Sequence, residues 1–238
     1  PMKTCYLSTL TITATMVMLA TCQAIMAADS PGKPNIVIIF ADDMGYGDIG
    51  VYGAKGYQTP HLDRLAGQGI RFTDFHVAES VCTASRVGLL TGSYPVRVGL
   101  TGAIGPGNPK GIHANEVLLP ELLREAGYAT GCFGKWHLTP SWEQGPAGPY
   151  DRWPTGMGFD RFYGIIGAEA SHWEPAAYDQ TTPISPHIGR PDYHLTEDLA
   201  DQAISWMERH RASAPNRPWF CYFSTPAVHA PHHAPADW

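Results

Sequence analysis

Apolar runs and polar clusters alternate along most of this 238-residue chain. Ile36–Phe40 is a continuous run of β-branched and aromatic residues, which predicts a strand buried on both faces. Further apolar runs predict strands at Tyr128–Phe133, within residues 218–225 and around Ile70–His76. Polar clusters repeatedly follow these runs, so side chains suited to ligand binding are expected at the ends of strands.

Four segments between the strands combine helical periodicity with start or stop signals: residues 60–67, 83–90, 120–126 and 196–211. The last segment is amphipathic, with Leu199, Ala203, Trp206 and Met207 on one side. Thr196 is its predicted N-cap. The repeated order of strand and helix is typical of an α/β sandwich.

Residues 139–195 interrupt this order, because they are rich in glycine, proline, tryptophan and tyrosine and have little periodicity. We predict that they form a long ordered excursion over the face that carries the strand-end side chains. Trp142, Trp153 and Trp173 suit stacking on a sugar or aryl ring, or equally packing in the core.

The first 28 residues differ from the rest. Lys3 precedes an apolar stretch, Leu7–Leu19, and Ala27 or Ala28 provides a small residue for cleavage. This pattern predicts a signal peptide over residues 1–28 and a secreted or periplasmic protein, or a lysosomal one in a eukaryote. A membrane anchor is the alternative, although we expect no stable membrane insertion. The net charge of -6 does not indicate nucleic-acid binding.

Three cysteines follow the predicted signal peptide. Cys132 and Cys221 lie in predicted apolar strands and are expected to be buried, whereas Cys82 has polar neighbours at a helix start. Arg86 follows one turn later on the same face. Because a helix N-terminus favours an anion, this pair predicts a site for sulfate, phosphate or carboxylate. A partly exposed structural cysteine, with the arginine in a surface ion pair, is the alternative.

Other polar residues after strands are candidate ligands. Asp42 and Asp43 suit calcium or magnesium, or else form a solvated turn or helix cap. Lys135 and His137 share one side of an extended chain, where they would supply a charge and a proton carrier, or simply form a loop. His229, His232 and His233 follow the last predicted strand, where one of them could donate a proton to a leaving group, or all three could simply form a polar loop. Together with Cys82 and Arg86, these residues describe a pocket for a tetrahedral oxyanion.

The segment CTASRVGLLTG, which begins at Cys82, resembles the sulfatase motif, in which Cys-x-Pro/Ala-x-Arg opens a helix ending in Thr-Gly. Other segments look like the family's further landmarks in their usual order: PNIVIIFADDMGYGDIGVYG, TPHLDRLAGQGIRFTDFHV, GKWHL and VHAPHHAP. The match extends from Pro34 to Trp238. The resemblance implies an alkaline-phosphatase-like α/β fold, with a mostly parallel central sheet and helices on both faces. It also implies hydrolysis of sulfate esters.

In the family that this chain resembles, the motif cysteine is oxidised to formylglycine. The resemblance therefore implies that a maturation enzyme acts on Cys82 and that the hydrated aldehyde is the nucleophile. Asp42 and Asp43 would bind calcium together with residue 82, and Arg86 would hold the diol. Position 84 is alanine where proline is commoner, which leaves the maturation enzyme open.

The resemblance assigns the remaining roles in the same way. Lys135 would contact the sulfate, His137 the formylglycine hydroxyl, and His229 would protonate the leaving group of a sulfated small molecule or glycan. His232 and His233 are expected at the rim. A phosphatase or phosphonate monoester hydrolase of the same fold, or a non-catalytic protein that binds sulfated glycans, remains an alternative.

The family's second pair of calcium ligands and second sulfate-binding lysine have no counterpart before Trp238. We therefore expect residues 29–238 to be the N-terminal portion of a sulfatase catalytic domain, without its C-terminal part. The fragment alone is expected to bind calcium poorly and to be inactive.

Overall fold

A six-stranded sheet forms the centre of the computed structural model, which describes residues 32–236. The strands are β1 (Ile36–Ile39), β2 (Ala129–Lys135), β3 (Arg161–Ile165), β4 (Ala177–Asp179), β5 (Thr182–Ile184) and β6 (Trp219–Ser224). Their order is β1-β6-β2-β3-β4-β5. The first four in this order are parallel, and β4 and β5 add an antiparallel edge. The carboxyl ends of the parallel strands therefore meet at one edge of the sheet.

Within the described residues, five α-helices connect or cover the strands: α1 (Pro60–Gln68), α2 (Cys82–Thr91), α3 (Pro95–Val98), α4 (Leu119–Glu125) and α5 (Leu195–Ser213). Helix α2 confirms the predicted helix within one residue at each end. It ends at Gly92, whose φ of 66° lies in the left-handed region that glycine adopts without strain.

Side chains on the two faces of the sheet form two cores. Phe220 and Tyr222 of β6 join the first core with Leu90 of α2, whereas Cys221 joins the second core with Leu199 of α5. This alternation along one strand places helices on both faces and confirms the predicted α/β sandwich. Cys132 and Cys221 are buried free thiols, as predicted, and belong to opposite faces.

The prediction that β1 is buried on both faces is wrong. Val37 is 47% exposed and Ile39 is 59% exposed, while Ile36 and Ile38 pack against the first core. The cause is topology, because β1 is an edge strand and helix α5 packs against β2, β3 and β6.

The predicted strand around Ile70–His76 is also wrong, since this segment is irregular. Side chains bind its backbone instead of a neighbouring strand: the Tyr46 and Tyr52 hydroxyls donate to the Phe72 carbonyl. Ile70 is 84% exposed, so no apolar face holds the segment against the sheet.

Two further differences concern residues 139–195 and the following helix. The excursion contains β3, a central strand paired with β2, which the glycine-rich sequence concealed. Helix α5 begins at Leu195, and its N-cap is His194 rather than Thr196, because His194 Nδ1 accepts a hydrogen bond from the Thr196 amide at 3.3 Å.

The predicted signal peptide lies outside the described residues. Among residues 32–236, no helix combines the length and apolar character needed to cross a membrane.

Candidate active site

Backbone pairing beyond the ends of β1 and β6 brings their polar side chains together. The Asp42 amide donates to the Ala227 carbonyl at 3.1 Å, and the Val228 amide donates to the Asp42 carbonyl at 2.8 Å. This pairing holds the loop that carries His229 beside the two aspartates. His229 Nε2 lies 3.7 Å from Asp43 Oδ2.

Asp42 is the centre of a buried charge cluster. Lys135 Nζ donates to its Oδ2 at 2.5 Å, and Arg86 Nη2 lies 3.1 Å from its Oδ1. All three side chains are almost completely inaccessible to solvent. Burial raises the pKa of Asp42, but Arg86 and Lys135 together outweigh burial and lower it below its ordinary value. Two cationic side chains share one carboxylate, so the cluster favours a further anion.

Arg86 is held in place from several directions. Its Nη1 donates to the Lys135 carbonyl at 2.8 Å and to the Ser224 hydroxyl, and its guanidinium lies 5.1 Å from the centre of the Phe40 ring. The alternative of an arginine in a surface pair is therefore wrong. Sequence reasoning missed Ser224, although its position at the end of an apolar run was the available signal.

Cys82 is the first residue of α2, and it is a free, partly exposed thiol. A carboxylate oxygen of Asp42, the Cys82 sulfur and a ring nitrogen of His229 all lie within 4.8 Å of one another. A cavity of about 450 Å³ opens here, and its lining includes Asp43 and Ser85. The structure thus brings residues from three separate sequence segments to one accessible point.

His137 lies in a buried position beside this cluster. Its φ of 57° is left-handed, so it departs from the extended alternation with Lys135 that the sequence indicated. Its Nε2 lies 2.8 Å from the Ile104 carbonyl, which can only accept, so Nε2 carries the proton. Burial lowers the pKa of His137 to about 4. The ring is therefore neutral near pH 7, and among the described residues its Nδ1 has no hydrogen-bond partner.

The chemical type of the donor atoms around Asp42 and Cys82 determines which metal ion this site would bind. Calcium and magnesium take oxygen ligands, which Asp42 and Asp43 supply at the wall of one cavity. The Cys82 sulfur and the His229 imidazole are softer donors of the kind that zinc prefers. The two carboxylates fit a hard cation, and this fit improves if residue 82 carries oxygen in place of sulfur.

A separate cavity of about 390 Å³, the histidine-lined cavity, begins at His229 and is also lined by His172, His194, His232 and His233. Burial, together with the neighbouring histidines, lowers the pKa of His172 to about 4. Sequence reasoning missed His172 and His194, because they lie in the segment without periodicity. No local signal identifies them.

The chain is similar to known proteins along most of its length. A family model for sulfatases matches residues 34–238. Human arylsulfatase A is 40% identical over 220 residues, which is 83% of this chain and 42% of the relative. Human N-acetylgalactosamine-6-sulfatase is 34% identical over 233 residues, covering 87% of this chain and 42% of the relative.

Among solved structures, the crystal structure of Ps i-CgsB in complex with k-i-k-neocarrahexaose superimposes with a TM-score of 0.76 at 27% identity. The match covers 86% of this chain and 47% of that one. The chain spans less than half the length of these three proteins. On the family model and the shared fold, the chain belongs to the sulfatase family.

Proposed function

We propose that this chain carries the catalytic residues of a sulfate ester hydrolase whose nucleophile is a formylglycine formed from Cys82. The observation that carries the proposal is the position of Cys82 at a helix start, within 4.8 Å of Asp42 and His229 ligand atoms and open to a cavity. Cys132 and Cys221 are buried and offer no such access. Membership of the sulfatase family supports a sulfate ester as the substrate.

The reaction follows from the chemistry of the aldehyde at residue 82. Water adds to it to give a gem-diol, and one hydroxyl loses its proton to solvent and attacks the sulfur of the ester. The bond between sulfur and the alcohol oxygen breaks, and His229 donates a proton to that oxygen. The second hydroxyl then loses its proton, sulfate departs, and the aldehyde re-forms. Each turnover consumes one water and releases one alcohol and one sulfate.

The buried charges support this assignment. Lys135 and Arg86 surround a single carboxylate, and their excess positive charge stabilises the charge that develops on the sulfate oxygens. Arg86 also holds the diol. The neutral ring of His137, with Nδ1 free of protein partners among the described residues, suits a contact with the hydroxyl of residue 82.

Asp42 and Asp43 are the side chains of this chain that would hold calcium, together with an oxygen of residue 82. Bound there, the cation would neutralise charge on the sulfate oxygens. Magnesium is the alternative, because it prefers the same oxygen donors.

We extend the proposal to the protein's surroundings. Residues 1–28 direct export to the periplasm, the exterior or a lysosome, and a formylglycine-generating enzyme modifies Cys82. Residues 29–238 form the N-terminal portion of the catalytic domain. The substrate is a sulfated small molecule or glycan.

A peptide mass measurement on the complete, matured protein tests the modification. The tryptic peptide that ends at Arg86 should be lighter by the difference between a CH₂–SH and a CHO group. The peptide that contains Cys132 serves as an internal control and should retain its thiol. An intact thiol at residue 82 in a fully active preparation would contradict the proposal.

Product analysis tests the reaction. Sulfate should be released from sulfate esters, and Cys82→Ala should lower this rate at least about 10³-fold, because the nucleophile is lost. Release of phosphate but not sulfate would favour a phosphatase or phosphonate hydrolase. Binding of sulfated glycans without turnover, with an unmodified thiol, would favour a binding protein.

A further inference from the structure

The loop that carries His229 is attached to the rest of the protein at two points. We call residues 226–234 the His229 loop. Its first attachment is the backbone pairing with Asp42. Beyond this pairing the loop borders the histidine-lined cavity, which is also lined by residues at the start of α5. Among the described residues, the hydrogen bonds that join residues 229–236 to other segments all end on His233, which is therefore the second attachment.

His194, the N-cap residue of α5, makes the shorter of these hydrogen bonds. Its Nδ1 accepts from the Thr196 amide at 3.3 Å, so its Nε2 carries the proton and donates to the His233 carbonyl at 2.8 Å. The other hydrogen bond runs from the His172 amide to His233 Nδ1 at 3.3 Å. The imidazole of His194 thus joins the first turn of a 19-residue helix to the His229 loop.

The His194 ring is itself held firmly. The residue is 8% exposed, and its ring centre lies 5.3 Å from that of His172 and 4.9 Å from that of Trp173, both edge to face. The Leu195 amide donates to the His172 carbonyl at 2.8 Å, which joins the same segments through the backbone. Because α5 packs against three strands of the central sheet, His194 fixes the loop relative to the sheet.

The orientation of the His229 ring depends on the backbone of this loop. Its Nδ1 lies 2.5 Å from the Ala230 carbonyl, which can only accept, so Nδ1 carries a proton. The other nitrogen, Nε2, faces the charge cluster and lies 3.7 Å from Asp43 Oδ2. Ala230 lies in the chain between the attachments at Asp42 and His233. A shift of the loop backbone would therefore move the nitrogen that faces the leaving group.

We propose that His194 is a positioning residue for the reaction. Through the His233 carbonyl, it holds the His229 loop where His229 can protonate the leaving group. This inference rests on the proposed function. His194 does not line the cavity at Cys82, so it acts through the loop rather than by contact with the ester.

The alternative is that His194 serves only as the N-cap of α5, and two substitutions separate these roles. His194→Gln can place an amide N–H near the position of Nε2 and keep the hydrogen bond to the His233 carbonyl. His194→Asn places an acceptor near the position of Nδ1, so it keeps the cap but is too short to reach the loop. A positioning role predicts that Asn is the damaging substitution, whereas a capping role predicts that Gln is.

The test measures sulfate release by the complete, matured protein from 4-nitrophenyl sulfate, phenyl sulfate and glucose 6-sulfate. The leaving group becomes more basic along this series and depends increasingly on protonation. His194→Asn should lower kcat/KM less than about threefold for the first ester and about ten- to a hundredfold for the last. His194→Gln should retain most of the wild-type value for each ester.

His210→Asn is the matched control, because His210 Nε2 makes the same kind of contact at the far end of α5, 3.1 Å from the Arg217 carbonyl. It should leave all three values unchanged. Hydrogen exchange of a peptide that spans the His229 loop gives a readout independent of activity. Exchange should be faster in His194→Asn than in the wild type and in His194→Gln.

Three results would overturn the positioning role while the proposed hydrolysis stands. These are equal effects of His194→Asn on all three esters, a greater loss in His194→Gln than in His194→Asn, and unchanged exchange of the His229 loop in His194→Asn. Absence of sulfate release from every ester by the wild type counts against the proposed function itself, and the inference falls with it.

Discussion

At the scale of single residues, Asp42 is the acidic member of the buried charge cluster. Its carboxylate is the shared partner of Arg86 and Lys135, and none of the three side chains reaches solvent to a significant extent. Removing one member of such a buried cluster leaves the other charges without compensation. The same arrangement that prepares the site for an anion therefore makes the fold depend on this carboxylate.

Asp42→Asn is expected to lower the free energy of unfolding by about 3–5 kcal/mol, because two buried cations lose their counter-charge. Urea denaturation in calcium-free buffer measures this loss. Asp43→Asn is the matched control, since the Asp43 side chain is 51% exposed and should cost less than about 1 kcal/mol. Equal losses in the two variants would show that the buried cluster does not contribute as described.

His137 makes stability depend on pH. Its pKa is lowered by burial to about 4 from 6.5, so the unfolded chain binds a proton that the folded ring refuses. Above pH 6.5 the ring is neutral in both states, so the free energy of unfolding keeps its full value. As the pH falls toward 4, the free energy of unfolding decreases by about 3 kcal/mol in total. The stability difference between wild type and His137→Gln should shrink over this range.

Chemical denaturation at several pH values measures that difference. The exposed His61→Gln serves as the control, and its free energy of unfolding should change with pH in parallel with that of the wild type. If the free energy of unfolding of His137→Gln changed with pH in parallel with that of the wild type, the lowered pKa assigned to His137 would be contradicted.

Among the secondary-structure elements, β2 approaches its neighbour β6 so closely at Gly134 that no side chain fits between them. Gly134 has a φ of 121°, and a Cβ there would lie 2.0 Å from the Ser224 carbonyl of β6. Lys135 follows directly, and Ser224 binds Arg86. The spacing of these two strands therefore positions the charge cluster.

Gly134→Ala is expected to destabilise the protein by at least about 3 kcal/mol, because β2 and β6 must separate to admit the methyl group. Thermal unfolding measures the effect. Gly67→Ala is the control, since Gly67 lies in α1 with open space at its Cβ position and should instead gain about 0.5–1 kcal/mol. A Gly134→Ala protein with unchanged stability would contradict the close approach.

For the molecule as a whole, metal binding and folding should be linked. A cation that binds only the folded state stabilises it by about 2.7 kcal/mol at a hundredfold excess over its Kd. Calcium should therefore raise the Tm of the complete protein, and chelation should reverse the gain. Asp43→Asn should remove most of the calcium-dependent shift, whereas the exposed Asp74→Asn should retain it. An undiminished shift in Asp43→Asn would exclude Asp43 as a ligand.

Local sequence patterns were sufficient to predict the elements whose formation depends mainly on neighbouring residues. Helix α2 and the buried strands around Cys132 and Cys221 match the prediction, because propensity, periodicity and stop signals depend on neighbouring residues. The candidate site residues followed from polar positions after apolar runs, and the order of motifs identified the family. Strand β3 was missed because its short sequence is flanked by glycines and prolines.

The sequence pattern could not predict which residues that are far apart in the chain come into contact. The sheet order leaves Ile39 exposed on an edge strand, and it brings His229 next to Cys82. The pairing of Asp42 with two cations and the stacking of Trp173 on His233 likewise depend on packing between segments far apart in the chain. A residue's chemical type is written in the sequence, but its partners, burial and pKa arise only when long-range backbone pairing and core packing set its distances.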